Sequence, residues 1–190
     1  MKKFIILFLV LLNAQLFAQV PEPVNNQNQP VLIYNALIHI GDGNTIEKGF
    51  VSFENGKIAE VSSEDLDLES DAYQNYLKIN ANGNHLYPGL ILPNSKVGLE
   101  DISAVRATVD HTEVGELNSN IRSLIAFNTD SEIISTFRYN GILLSQVVPD
   151  GSFVTGNSSI MMMEGWNWED AAYKIDDGMH VKWPRKTYPP

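Results

Sequence analysis

The stretch FVSFENGKIAEV, residues 50–61, predicts a β-hairpin. Its two arms alternate apolar and polar residues around Glu54-Asn55-Gly56, and Asn-Gly is the favoured pair for a tight hairpin turn. Upstream, the apolar run VLIYNALIHI (31–40) has the length of a strand. Downstream, LKI (77–79) and HLYPGLIL (85–92) predict further short strands. We therefore expect a β-rich segment over residues 31–92.

Beyond Pro93 the pattern changes to alternating helices and strands. Helices are expected at LEDISAVRAT (99–108), SEIISTFRYNG (131–141, with Ser131 as its N-cap) and WNWEDAAYKI (166–175), and strands at ILLSQVVP (142–149) and SSIMMMEG (158–165). A helix followed at once by a buried strand favours a parallel α/β layer. The sequence as a whole predicts the α/β class.

The composition excludes several classes of protein. The chain has 190 residues, which allows one ordinary domain or two small ones, and its 44% hydrophobic content is enough for a packed core. Thirteen basic residues against 23 acidic ones give a net charge of −10, which argues against a nucleic-acid partner. The absence of cysteine excludes disulfides, thiolate metal sites and a thiol nucleophile.

The N-terminus has the layout of a secretory signal peptide. Lys2 and Lys3 precede an unbroken apolar run, Phe4 to Leu12, and Ala18 offers a cleavage site, so residues 1–18 are predicted to be removed. An uncleaved membrane anchor is the alternative, although nine apolar residues are too few for the roughly twenty that span a bilayer. We expect a periplasmic or secreted protein with no membrane contact after cleavage. Residues 19–30, rich in Pro, Asn and Gln, predict a linker.

The order of these motifs resembles the amidohydrolase superfamily, and within it the exported imidazolonepropionase-like amidohydrolases of Bacteroidetes type. The matching stretches are LIYNALIHIGDG (32–43), ENGKIAEV (54–61), GNHLYPGLILPNSKVGL (83–99), RSLIAFNTDSE (122–132), NGILLSQVVPDG (140–151) and GWNWEDAAYK (165–174).

The resemblance implies an architecture. Residues 31–92 would form the β-sandwich portion of an amidohydrolase with its entry strand, and residues 93–190 the first strand–helix units of an incomplete TIM barrel. A complete (β/α)₈ barrel needs about 200–250 residues, roughly twice the length of the chain beyond Pro88. The sequence is therefore expected to be a fragment, or to have its barrel completed by another polypeptide.

The resemblance also implies a chemistry. Active members bind a divalent metal such as zinc through a His-x-His pair at the end of barrel strand one, and they hydrolyse cyclic amides or other non-peptide C–N bonds. Alignment on Pro88-Gly89-Leu90-Ile91 puts Asn94 and Lys96 at the two histidine positions. Asn is a poor zinc ligand and an ammonium repels the cation, so no metal is expected in this segment.

His111 is a weak candidate for a metal ligand, because Asp110, Glu113 and Glu116 lie near it in the sequence. An ordinary surface histidine is the alternative at this position. No residue is assigned a catalytic role from the sequence.

Two functions remain open. The chain is either the N-terminal part of an exported amidohydrolase-like protein, or a catalytically inactive amidohydrolase-like module that supports or binds a partner domain. The expected partner is the remainder of the barrel or a second amidohydrolase domain. A periplasmic binding module unrelated to hydrolases is a third possibility, and it would require the order of motifs to be chance.

Overall fold

The computed structural model of the protein describes residues 26–63, 66–151 and 153–183. The predicted signal peptide, residues 1–18, lies outside the described residues, as does most of the predicted linker. Residues 26–30, the described end of that linker, contain neither helix nor strand. Within the described ranges, no helix combines the length and apolar character needed to cross a membrane.

The first sheet is built by the residues around the predicted hairpin. Its strands are β1 (Val31–His39), β2 (Thr45–Glu54), β3 (Lys57–Ser62), β4 (Leu77–Asn80) and β5 (His85–Leu86). They lie in the order β3-β2-β1-β4, and β5 also pairs with β1. The β1–β2 and β2–β3 pairs are antiparallel, whereas β4 and β5 run parallel to β1.

The hairpin prediction is confirmed. Glu54 pairs with Lys57 across the two-residue turn Asn55-Gly56. Both turn residues have positive φ angles, 52° and 73°. A turn with two left-handed residues matches the right-handed twist of the flanking strands, which is why Asn-Gly is selected there. The core under this sheet is small: it centres on Ala36, Ile38 and Val51.

The second sheet is formed by the rest of the chain. Its strands are β6 (Leu90–Ser95), β7 (Ile142–Val147), β8 (Val154–Met162) and β9 (Ala172–Val181), in the order β6-β7-β8-β9. The β6–β7 pair is parallel, and the β7–β8 and β8–β9 pairs are antiparallel. The protein is therefore a mixed α/β structure made mostly of strands in two sheets, with few helices.

Two α-helices accompany the second sheet: α1 (Glu132–Tyr139), directly before β7, and α2 (Trp168–Ala171), directly before β9. Three short 3₁₀ helices complete the described elements, at Asp71–Tyr73, Arg106–Thr108 and Ser123–Ala126.

Helix α1 confirms its prediction, with one difference at its start. Ser131 occupies the N-cap position, but its hydroxyl caps no backbone N–H and is buried without a hydrogen-bond partner. The helix ends as expected: the backbone N–H of Asn140 donates to the last turn, and Gly141 follows with a φ of 81°.

The prediction of a helix over residues 99–108 is wrong. Only Arg106–Thr108 forms a 3₁₀ turn, and the side chain of Thr108 bonds to the backbone N–H and carbonyl of Ile102. Ile102 is 56% exposed, so the segment has no continuous apolar face to bury and tertiary packing does not stabilise a helix there. The helix predicted over 166–175 is also shorter than expected, since β9 begins at Ala172.

One hydrophobic core lies beneath the second sheet. Its buried members are Val97, Leu99, Leu124, Phe127, Ile134, Val147, Met161, Met163 and Ala171. They come from β7, β8, both helices and the long connection between β6 and α1, so this core joins residues that are distant along the chain. Met161 and Met163, two residues apart, are both buried, as expected for one face of a strand.

Candidate functional site

The ends of β6, β7 and β9 meet in a cluster of three charged side chains. Lys96 follows β6, Asp150 follows β7 and Lys182 follows β9. The Lys96 ammonium lies 2.8 Å from Oδ2 of Asp150, and Lys182 donates to Oδ1 of the same carboxylate. We refer to Lys96, Asp150 and Lys182 as the charge triad.

The charge triad lines a cavity of about 310 Å³, together with Asn94, Thr155 and His180. Asn94 and Lys96, the two positions at which the resemblance implies histidines, thus line the same cavity, and their correspondence to metal-ligand positions stays a prediction. The His180 ring is engaged elsewhere: its Nε2 lies 2.8 Å from the hydroxyl of Ser158. The cavity wall is thus dominated by two ammonium groups and one carboxylate.

Strand β6 reaches the cavity through an irregularity. The pairing of β6 with β7 shifts register between Leu92 and Ser95, and Asn94 has a left-handed backbone with φ 49°. Asn tolerates this conformation better than most residues. The backbone N–H of Asn94 donates to the side-chain oxygen of Gln146 on β7, at 3.2 Å. Asn94 and Lys96 therefore approach the cavity from a bulged strand end, not from a regular alternating strand.

The electrostatics of the charge triad fix the state of its carboxyl group. Hydrogen bonds from Lys182 and Lys96, and one from the backbone of Gly151, hold the pKa of Asp150 well below its usual range. Asp150 is therefore ionised at any ordinary pH. With both ammonium groups charged, the triad carries a net charge of +1.

The residues at this position do not fit a divalent metal. Zinc is held by imidazole, thiolate or carboxylate donors. Here the one carboxylate is already bonded to two ammonium groups, Asn94 is a poor ligand, and His180 contacts Ser158. Across the three described ranges, no group of three or more His, Asp or Glu side chains is arranged to hold a metal ion.

His111 does not line the cavity of the charge triad. Its Nδ1 is 3.3 Å from Oε2 of Glu100, although the geometry is not that of a hydrogen bond, and its side chain is only 12% exposed. It lines a separate cleft of about 450 Å³ with Asp110 and Glu113, while Glu116 is not among the lining residues. The structure thus brings Glu100, not Glu116, to His111.

The sequence analysis missed Asp150 and Lys182. The backbone N–H of Asp150 donates to the carbonyl of His111, at 2.6 Å. Its side-chain carboxylate accepts hydrogen bonds from two lysines that are distant in the sequence. The only local signal was the Asp-Gly turn after β7. That turn predicts a change of chain direction and gives no indication of an ion pair, which depends on where β9 returns.

No protein-family model and no curated protein matches this chain. Among solved structures, it is similar to a crystal structure of an amidohydrolase from Thermotoga maritima MSB8, with a TM-score of 0.72 and 21% sequence identity. The match covers 82% of this chain and 39% of that chain, so the protein spans about two fifths of the amidohydrolase's length. At this level of identity the likeness concerns the fold alone, and the described part of the protein has an amidohydrolase-like fold.

Proposed function

We propose that the chain is the N-terminal part of an exported amidohydrolase-like protein, and that this part is itself catalytically inactive and supports a partner domain. The charge triad carries the proposal. It includes Lys96, one of the two positions where the resemblance implies histidines, and it offers a cation two ammonium groups and a carboxylate that is already paired with them.

The charge triad also has a structural use that favours this function. Lys96, Asp150 and Lys182 each follow a different strand, so their ion pairs tie β6, β7 and β9 together at one end of the second sheet. Such links stabilise a scaffold without leaving an open coordination position. A catalytic metal site needs such an open position for water or substrate.

Exposed apolar side chains on the second sheet favour the proposal that a partner binds there. Leu90 is 59% exposed, Ile91 60% and Leu143 49%, and all three lie on the parallel pair β6–β7. Neighbouring exposed apolar side chains on one part of a sheet mark a surface that another domain can cover. We propose that the cover is the remainder of a TIM barrel or a second amidohydrolase domain. The match to only 39% of the amidohydrolase chain is consistent with that proposal.

The complete protein would hydrolyse non-peptide C–N bonds, such as those of cyclic amides, with a divalent metal held by the partner. This part of the proposal rests on the resemblance to exported imidazolonepropionase-like amidohydrolases of Bacteroidetes type, and it places the protein in the periplasm or outside the cell.

N-terminal sequencing of protein from the native host tests export. A mature chain starting at or near Gln19 is expected, and an intact Met1 in cytoplasmic protein would contradict it.

A metal analysis tests the inactive role. The chain is purified without a histidine tag, its zinc, iron and manganese contents are measured, and hydrolysis of cyclic amides is assayed with each metal added. We expect no tightly bound equivalent of these metals and no turnover. One equivalent of metal that is lost in His111→Gln, together with turnover, would make this segment an enzyme and overturn the proposal.

A double variant sharpens the test. Asn94→His with Lys96→His restores the two imidazoles of the family pattern but leaves Asp150 and Lys182 in place. Because two imidazoles are fewer than the three protein ligands of a catalytic zinc site, we expect this double variant to gain metal affinity without turnover. Turnover in the double variant would contradict the view that the partner supplies the remaining ligands.

A further inference from the structure

We propose that His39 and His85 form a copper-binding pair on the first sheet, with Cu²⁺ held by Nε2 of His39 and Nδ1 of His85. These two nitrogens lie 3.0 Å apart. The site is separate from the charge triad, and the inference does not depend on the proposed function.

The sheet brings the two histidines together. His39 is the last residue of β1, and His85 is the first residue of β5, which runs parallel to β1. His85 stands opposite Leu37, so His39, two residues further along β1, is on the same face of the sheet and diagonal to it. Because the backbone ladder fixes both Cα positions, the approach of the rings follows from the register.

A tyrosine completes the cluster. The Tyr87 ring stacks on His39 with centroids 4.0 Å apart and an angle of 9° between the planes. Its hydroxyl lies 3.1 Å from Nδ1 of His85. The contact between Nε2 of His39 and Nδ1 of His85 is a hydrogen bond whose donor depends on the tautomer. A cation held by both imidazoles would take the place of the proton that they share.

The separation of the nitrogens favours a particular metal geometry. With metal–nitrogen bonds of about 2.0–2.1 Å, a 3.0 Å spacing corresponds to an angle of roughly 94° at the metal. Tetragonal Cu²⁺ sites accept two imidazoles in such cis positions. Cu²⁺ is also the divalent ion of its row that imidazole donors bind most strongly.

The position is accessible to a metal from solution. His85 and Tyr87 are exposed, and His39 is half-buried. His39 and Tyr87 also line a cleft of about 540 Å³ between the two sheets, beside Pro88 and Leu143. Two imidazoles leave further coordination positions for water, so the pair is an open site with ligands on two neighbouring strands.

Copper titration of the tag-free chain tests the pair. We expect one equivalent of Cu²⁺ to bind, to give an electron paramagnetic resonance spectrum with coupling to two imidazole nitrogens, and to quench tyrosine fluorescence. His39→Gln and His85→Gln should each weaken binding by about tenfold or more. His180→Gln, on the second sheet, is the matched control and should bind Cu²⁺ as the wild-type chain does. Far-ultraviolet circular dichroism checks that each variant keeps its strands.

A second measurement uses the unmodified protein alone. Paramagnetic Cu²⁺ at substoichiometric concentration should broaden the ring-proton resonances of His39 and His85 and leave those of His111 and His180 sharp. Equal broadening of all four histidines, coupling to a single nitrogen, or unchanged binding in a His39→Gln/His85→Gln double variant would each overturn the proposal. None of these outcomes bears on the charge triad, so failure here is distinct from failure of the proposed function.

Discussion

The two sheets contain paired strands that are joined by connections of very different length. In the first sheet, β2 and β3 are joined by the two-residue turn Asn55-Gly56. In the second, Leu90 of β6 pairs with Ile142 of β7, and the long connection between them contains two 3₁₀ helices and α1. Local turn chemistry joins β2 to β3 in the first sheet, whereas contacts between distant residues join β6 to β7 in the second. The two sheets should therefore respond to different mutations.

The largest effect is expected in the core of the second sheet. Leu124 is fully buried in the connection between β6 and α1, and Leu124→Ala should lower the free energy of unfolding by about 2–5 kcal/mol. Chemical denaturation measures the loss. Leu117→Ala is the matched control, because Leu117 lies in the same connection but is 70% exposed. Equal costs for the two variants would contradict a second sheet held by its distant core contacts.

A smaller loss is expected when the charge triad is broken. Asp150→Asn leaves Lys96 and Lys182 without their common carboxylate and should cost about 1–2 kcal/mol, since both lysines are more than one third exposed. The pKa of Asp150 is lowered in the folded protein, so its contribution is complete above the unfolded value of about 3.9 and is lost as the pH falls further. Denaturation from pH 7 to pH 2 should show the wild type and the variant converging, and a constant difference would contradict this.

A local change tests the first sheet. Asn55 has a φ of 52°, and Asn55→Ala places an ordinary L residue in the left-handed region at a cost of about 1 kcal/mol. Asn55→Gly keeps the turn and should be nearly neutral. If thermal denaturation shows the two variants to be equally destabilised, the Asn55 side chain matters for another reason and the turn is not what fixes β2 against β3.

The smallest effect is a titration shift at the edge of the first sheet. A hydrogen bond from Tyr76 to Glu54 raises the pKa of Tyr76 to about 12. Because the folded value is raised, this bond stabilises the fold below the ordinary value of about 10, and the stabilisation is lost as the pH rises through 12. Absorbance titration should show Glu54→Gln lowering the pKa of Tyr76. Glu47→Gln, elsewhere on β2, should leave it unchanged.

Sequence patterns predicted the parts of the fold that local chemistry determines. The hairpin around Asn55-Gly56, helix α1 and strand β7 all follow from turn residues, caps and apolar runs within a few positions of one another. The interpretation of Asn94 and Lys96 as replacements for two histidines rests on the resemblance and stays a prediction.

The rest of the second sheet depends on contacts that no local pattern encodes. The connection between β6 and α1 is ordered by backbone bonds to β8, such as Asn118 N–H to the carbonyl of Val154 and Asn157 N–H to the carbonyl of Ile121. Where a helix was expected at 99–108, the chain bonds back on itself instead, from the Asp101 N–H to the carbonyl of Thr108 and from the Asp110 N–H to the carbonyl of Leu99. The charge triad could not be predicted for the same reason, since Lys182 reaches Asp150 only because β9 runs antiparallel to β8.

The strand order of the second sheet has a consequence for self-association. Within the described residues, β6 and β9 are its outer strands, and each carries a device that discourages another strand from adding to it. Pro93 in β6 lacks an N–H and is followed by the left-handed Asn94, while β9 contains the left-handed Asp176 beside the charged Asp177. A regular ladder could extend along β6 only over Leu90–Leu92. A strand that completes a barrel could therefore pair with β6 over this short stretch, whereas the long, regular ladder of a fibril would be interrupted at Pro93 and Asn94.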